Sequence, residues 1–347
     1  GTHWEFLEGC RRLGLPVTKH AVRCRTIEQI LKQCRALEER RERLEYEADG
    51  AVIKVNELAL QRRLGMTFKS PRWAIAYKFA AQQATTQVLD VLHSVGRTGT
   101  VTPVAKLTPV ACGGVTIASA TLHNYEEVGR LGVRRGDWVT IQRAGDVIPQ
   151  VVKVIESRRT GQERPIHPPA RCPVCRGKID KDNEEEVAYR CINPACPAQL
   201  ARLVVHFGSR EAMDIEGLGE VVAEELVRRK LIHDVGDLYR LTDKELLELP
   251  LFARKKSEKL LEMIDRSRRR GLARLLYGLG IRHIGEKAAM SVTGQFGSLR
   301  RLMEADEAVL RGIAGVGPVV AEAVVHFFRQ PQTCALVKTL EAAGVKM

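Results

Sequence analysis

Four near-copies of one short motif, evenly spaced, do most to limit what this chain can fold into. Ile215-Glu-Gly-Leu-Gly219, Leu249-Pro-Leu-Phe-Ala253, Ile281-Arg-His-Ile-Gly285 and Ile313-Ala-Gly-Val-Gly317 begin 34, 32 and 32 residues apart. Each precedes a stretch with apolar residues at helical spacing: Val222–Val227, Lys256–Ile264, Lys287–Val292 and Val320–Phe327. A period of this length marks one supersecondary unit used several times, because one such unit cannot bury its own apolar face. The chain from about residue 198 to its end therefore reads as helices built from four related hairpins. Two of the units carry Gly-x-Gly, at Gly217 and Gly219 and at Gly315 and Gly317. Glycine lets a backbone approach a ligand closely, and the helix that follows begins with unpaired N–H groups able to hold a phosphate. The third unit keeps only Gly285 and adds Arg282 and His283. The second has no glycine and reads as a packing unit, with Arg254, Lys255 and Lys256 close by. Helix packing with glycine as a turn former is the bland alternative for any one unit.

The rest of the chain changes period. Residues 3–45 read as helical, with Leu7, Leu13, Ile27, Ile30, Leu31 and Leu37 near helical spacing. Ala51-Val-Ile-Lys-Val55 and Trp73-Ala-Ile-Ala-Tyr-Lys-Phe79 then alternate with period two and read as strands. Alternation puts Lys54 on one face with Val52, and Lys78 on one face with Ala74 and Ala76. Lys78, flanked by small side chains, leaves room for a bound group, and two such lysines on neighbouring strands suit a phosphate, but on pattern alone a solvated sheet face is the better explanation of both. Residues 86–156 carry short apolar runs broken by Gly and Pro, among them Gly113-Gly114, Gly136-Asp137, Gly145-Asp146 and Pro149, as a small β-barrel does. A proline-rich linker covers 160–171.

Cys172-x2-Cys175-x15-Cys191-x4-Cys196 follows the linker. Two close pairs of thiolates suit a closed tetrahedral Zn²⁺ site with a structural role. A redox Cys-x-x-Cys would not need the second pair. The other five cysteines are scattered, which fits bystander thiols in a reducing cytoplasm rather than a disulfide framework.

The formal net charge is +13, distributed as +6 over residues 1–80, +3 over 81–170, +1 over 171–206 and +3 over 207–347. A surplus spread along the chain fits a long basic surface facing a polyanion. No apolar run is long enough for a membrane span. The chain starts at Gly1, without Met or a signal-peptide pattern, and is expected to be cut from a longer polypeptide.

Taken together, several stretches resemble the NAD-dependent bacterial DNA ligases. Asp49-Gly-Ala-Val-Ile-Lys-Val-Asn56 and Ser70-Pro-Arg-Trp-Ala-Ile-Ala-Tyr-Lys-Phe79 are similar to two nucleotidyltransferase motifs of that family. Val95-Gly-Arg-Thr-Gly-Thr-Val-Thr-Pro-Val104, Ala120-Thr-Leu-His-Asn124 and Gln142-Arg-Ala-Gly-Asp-Val-Ile-Pro-Gln150 are similar to its oligonucleotide-binding barrel. The cysteine cluster and the repeats, which resemble helix-hairpin-helix motifs, follow in the family's order. Ala51 stands where valine is common, and Ala80 where proline is.

The resemblance implies a multidomain α and β protein: the carboxy-terminal part of an α+β nucleotidyltransferase (adenylation) domain over 1–81, an OB-fold barrel over 82–168, a zinc finger over 169–200 and an all-α helix-hairpin-helix domain over 201–347. It implies that Lys54, Lys78 and Arg41 contact the adenylate of NAD. It implies that Arg97, Arg143, Gly217, Gly219, Arg282, Gly285, Gly315 and Gly317 meet DNA, and that Zn²⁺ and Mg²⁺ (or Mn²⁺) serve as metals. The implied reaction seals 5′-phosphate/3′-hydroxyl nicks in duplex DNA during replication and repair. A lysine attacks NAD and releases nicotinamide mononucleotide, AMP moves to the 5′-phosphate, and the 3′-hydroxyl displaces it. The implied protein is a cytoplasmic monomer that avoids membranes. The nucleophile's Lys-x-Asp-Gly motif does not occur here; the only Asp-Gly is Asp49-Gly50, two residues after Glu47. The family's amino-terminal domain and terminal BRCT domain are also expected to lie outside this chain, leaving it inactive alone. Two rival readings are a non-enzymatic DNA-binding module, in which the paired strand lysines have no role, and a repair nuclease subunit, for which no acidic metal cluster is apparent.

Overall fold

The structure is a computed structural model that describes residues 1–347 other than 69, 144–147, 182–185 and 251, and the side chain of 42. The chain divides into two compact units. The first holds Gly1–Leu92, Val104–His123 and Glu127–Ile166; the second holds His93–Pro103, Asn124–Glu126 and His167–Met347.

The first unit opens with α1 (His3–Arg12) and α2 (Ile27–Glu39). The helical reading of residues 3–45 is corrected between them, where 13–26 has no regular structure. Gly14 takes φ +76° at the end of α1, and Pro16 cannot donate the N–H that a continuing helix needs. Thr26 then restarts the helix by accepting from Gln29 N. Strands β1 (Gly50–Lys54) and β2 (Ala74–Lys78) form an antiparallel ribbon around α3 (Leu58–Leu64).

A closed five-stranded barrel follows. Its strands are β3 (Gln82–Val95), β4 (Val101–Cys112), β5 (Val115–Thr121), β7 (Trp138–Arg143) and β8 (Gln150–Val154), in the order β3-β4-β5-β8-β7. Helix α4 (Tyr125–Leu131) and the short β6 (Arg134–Arg135) lie between β5 and β7, and β9 (Arg164–Pro165) pairs with β6. This is the OB-fold arrangement. Val88, Leu107, Ile117, Leu122, Val139, Ile141 and Val151 fill the interior, so the β-branched run seen in the sequence is the barrel core. β3 and β4 are longer than the short strands expected. Asp137, 1% exposed, accepts from Arg159 Nε and Nη2 and from Arg134 N, each at 2.8 Å, so this buried carboxylate is paired as burial requires.

The second unit contains the ribbon β10 (Ile179–Asp180) and β11 (Arg190–Cys191) and then helices only: α5 (Pro197–Gly208), α6 (Glu220–Arg228), α7 (Asp243–Leu247), α8 (Arg254–Ser267), α9 (Leu272–Gly278), α10 (Glu286–Phe296), α11 (Leu299–Met303), α12 (Glu307–Arg311), α13 (Pro318–Arg329) and α14 (Pro331–Ala342). One continuous core joins them, including Phe207, Leu226, Leu275, Leu276, Val324 and Leu340. Each repeat contributes buried apolar residues to it: Ile215 and Leu218, Leu249, Ile281 and Ile284, and Val316. No helix among the described residues is long and apolar enough to cross a membrane.

Candidate functional site

The β1–β2 register sets the strand lysines. Lys54 is opposite Ala74, Val52 opposite Ala76 and Gly50 opposite Lys78. Directly opposed residues share a face, so both lysines lie on the face with the two alanines, as alternation predicts. Both are exposed. They stand at opposite ends of the ribbon, about 13 Å apart at ~3.3 Å per residue. Their ammonium groups can reach one phosphate only if both side chains bend inward along the ribbon. His3, at the start of α1, has its pKa lowered by burial and by the charge of Lys54.

Arg41 sits elsewhere. Its Nη1 donates to Ala80 O at 2.9 Å, while Ala80 N donates to Glu38 Oε1 at 2.6 Å. The second bond gives Ala80 a physical role: proline, common here in the family, has no N–H to donate. Arg41, Asp49, Phe79, Gln82, Gly114 and Arg143 belong to the lining of a cleft of about 910 Å³, which neither Lys54 nor Lys78 lines. Arg143 Nη1 donates to Gly113 O at 2.8 Å. Residues 144–147 of the Gln142–Gln150 motif lie outside the described residues.

The four cysteines converge. Their sulfur atoms all lie within 4.8 Å of one another, with Cys172–Cys196 at 3.9 Å and Cys175–Cys191 at 3.5 Å. All nine cysteines of the chain are unbridged thiols. A tetrahedron with Zn–S bonds of about 2.3 Å has an S···S edge of about 3.8 Å, so the donor set fits zinc in number, chemistry and spacing. Cys172, Cys191 and Cys196 are buried against Val95, Val101 and Tyr125.

Val95 and Val101 come from the tip of the β3–β4 hairpin. This tip pairs with the cysteine module: Cys191 N donates to Gly99 O and Val101 N to Tyr189 O, each at 2.8 Å, and Arg190 Nη1 donates to Thr100 Oγ1 at 2.5 Å. Gly99 has φ +78°, and a Cβ there would collide with Cys191 O at 2.5 Å. Sequence reasoning placed this motif in a DNA-binding barrel and missed Gly99 as a seat for the metal module. Arg97, from the same tip, also turns onto the protein: its Nη1 donates to Gly280 O.

The repeats share one geometry. The middle residue is left-handed in three of them, at Gly217 (φ +95°), His283 (+64°) and Gly315 (+84°). The matching residue of the second repeat, 251, lies outside the described residues. The final residue always caps a helix in extended conformation: Gly219 before α6, Ala253 before α8, Gly285 before α10 and Gly317 before α13. The cap residues themselves offer no side-chain hydrogen bond to these helix starts. Among the described residues, nothing beyond the adjoining chain lies within 4 Å of where a Cβ would stand at Gly219, Gly285, Gly315 and Gly317. Arg282 and His283 are exposed beside the third cap.

Sequence-family models match the chain in register with this architecture. That of the NAD-dependent DNA ligase adenylation domain matches residues 1–82, that of the NAD-dependent DNA ligase OB-fold domain 85–163, and that of the NAD-dependent DNA ligase C4 zinc finger domain 171–198. The chain belongs to the NAD-dependent DNA ligase family. A helix-hairpin-helix motif model matches 274–337, which holds the third and fourth repeats. The DNA ligase of Thermotoga petrophila is 45% identical over all 347 residues, that of Chloroflexus aurantiacus 47% over all 347, and that of Geobacter sulfurreducens 46% over 342 residues. The chain spans about half the length of these ligases: 50%, 49% and 51% respectively.

Proposed function

We propose that this chain is the part of a nick-sealing, NAD-dependent DNA ligase that grips duplex DNA and steadies the adenylate. The observation that carries the reading is the set of open glycine caps at Gly219, Gly285 and Gly317, each heading a helix with nothing among the described residues packed against its missing Cβ. Three such helix starts on a chain of net charge +13 offer N–H groups and dipole to successive phosphates without reading bases. Gly217, Gly315 and Arg282 lie in the same loops and join that contact. Arg143, on the barrel of the first unit, would make a DNA contact of its own.

Lys54 and Lys78 would hold the two ends of the adenylate, with Arg41 nearer its cleft, and their charge opposes that developing on phosphate during transfer. Mg²⁺ would neutralise phosphate charge in the same step. Zn²⁺ on Cys172, Cys175, Cys191 and Cys196 would have a structural role, since four protein ligands leave no open position. The partner is nicked double-stranded DNA in replication and repair, met by a monomer. Nine unbridged thiols fit a reducing, cytoplasmic setting. The domain limits we propose are 1–81, 82–168, 169–200 and 201–347.

The test is binding of the chain to nicked and intact duplexes at two salt concentrations, read by fluorescence anisotropy. We expect tighter binding to the nick and affinity that falls steeply with salt, as phosphate contacts release counterions. Equal binding to both duplexes would reduce the reading to a general backbone binder, and no binding would remove it. A second expectation concerns chemistry. The 347 residues hold no Lys-x-Asp-Gly, so the chain incubated alone with adenylate-labelled NAD and Mg²⁺ should acquire no label. A labelled protein band would show that another residue serves as nucleophile.

A further inference from the structure

Arg190 immediately precedes Cys191 of the four-thiol cluster, yet its guanidinium serves the tip of the β3–β4 hairpin. Its strand, β11, pairs on one side with β10, Arg190 standing opposite Asp180, and meets the hairpin at Thr100 on the other. Nη1 donates to Thr100 Oγ1 at 2.5 Å and to Thr98 Oγ1 at 3.3 Å, and Nη2 donates to Glu186 Oε2 at 3.2 Å. The side chain is only 14% exposed. A guanidinium taken out of water costs free energy unless its N–H groups find acceptors. Here two hydroxyls and a carboxylate supply them. A planar fork of donors suits three acceptors held at fixed places, and neither the ammonium of lysine nor the amide of glutamine reproduces it.

The tip is a tight turn. Gly96 N donates to Thr100 O at 2.8 Å and Gly99 N to Gly96 O at 3.0 Å, and the hydroxyls of Thr98 and Thr100 lie 3.1 Å apart. Gly96 and Gly99 leave such a turn many alternative conformations, so its shape depends on what grips it from outside. Backbone bonds to Tyr189 and Cys191 hold one flank. Arg190 is the side chain that gathers both threonine hydroxyls. Arg97, which the family resemblance places on DNA, is the residue next to Thr98, so the same turn aims it.

We propose that Arg190 is a positioning residue: through Thr98 and Thr100 it holds the hairpin tip in the shape that presents Arg97 to DNA. The cysteine module then contributes to DNA binding through a side chain that need not touch the duplex. The DNA part of this inference rests on the DNA-ligase reading; the hold on the tip does not.

The experiment uses the full 347-residue chain and the variants Arg190→Gln, Thr100→Val and Thr100→Ser, compared at equal zinc content. Hydrogen–deuterium exchange is measured first, without DNA. Arg190→Gln and Thr100→Val should each speed exchange at 96–101 at least about tenfold, while Thr100→Ser, which keeps the hydroxyl, should not. Thr100 is not one of the cysteine module's own residues, so the Thr100 pair decides the point even if Arg190→Gln loses zinc. Unchanged exchange in Thr100→Val overturns the proposal. Binding to nicked duplex is measured second, by fluorescence anisotropy, in a double-mutant cycle with Arg97→Gln. If Arg190 acts through the tip, Thr100→Val and Arg97→Gln each weaken binding at least about fivefold, and the two together lose no more than about twofold beyond Arg97→Gln alone. Losses that multiply, or a Thr100→Val chain that binds as tightly as the parent, overturn the positioning role. If no form binds DNA, the parent chain included, the DNA-ligase reading fails while the exchange result still decides the hold on the tip.

Discussion

Stripping the metal from the four-thiol cluster, or replacing Cys172 by Ser, is expected to unfold the module that holds it. The small core there holds Val95, Val101 and Tyr125 together with Cys172, Cys191 and Cys196, so half of its buried members are metal-ligand candidates. Among the described residues the module's strands are the two-residue pair β10 and β11, too short for independent stability. Metal binding must therefore supply its folding free energy, about 10–16 kcal/mol for small structural zinc sites near neutral pH. The loss should spread in two directions. Cys196 is the N-cap of α5, which carries Phe207 into the helical core. Cys191 pairs with the hairpin tip at Gly99. We expect one zinc per chain by metal analysis, released by a strong chelator or by Cys172→Ser, with exchange protection lost over 95–101 and 189–200. Cys334→Ser, far from the cluster, should keep the metal. Retention of stoichiometric zinc and of that protection in Cys172→Ser would remove the structural-zinc assignment.

The cysteine site was legible in the sequence because the spacing of four chemically distinctive residues carries nearly all the information. The repeats were legible for a similar reason: a fixed period survives divergence, and each unit buries an apolar residue at its first or fourth position. What the sequence did not show depends on partners distant along the chain. The register that sets Lys54 and Lys78 at opposite ends of their ribbon follows from pairing across the intervening residues 55–73. Arg97 and Gly280 are 183 residues apart, and no local pattern marks the arginine as buried. The left-handed His283 hides in the same way, since only alignment with Gly217 and Gly315 shows that its position demands φ > 0. The break after α1 is different. Gly14 and Pro16 are local signals for it, and they override the helical periodicity of the apolar residues on either side.

Replacing Gly317 or Gly285 by Leu should separate folding from DNA binding. Gly219, Gly285 and Gly317 have φ of −86°, −88° and −83° with ψ near 180°, a conformation open to any residue. Ala253 demonstrates this at the matching place in the second repeat, with φ −110° and ψ 164°. Nothing among the described residues packs against their missing Cβ, so neither backbone strain nor packing there explains glycine at three of four caps. A ligand that comes close to the backbone does. On that argument Gly285→Leu and Gly317→Leu each weaken duplex binding at least tenfold, about 1.4 kcal/mol, with thermal stability changed by less than ~1 kcal/mol. The middle glycines should behave oppositely. Gly217 and Gly315 are left-handed, and an alanine there costs about 1–2 kcal/mol of stability before any DNA is present. Calorimetric unfolding and anisotropy on the same samples distinguish the two classes. If Gly317→Leu binds duplex as tightly as the parent chain, the caps are turn formers only, and the phosphate contacts must come from side chains such as Arg254, Lys255 and Arg282.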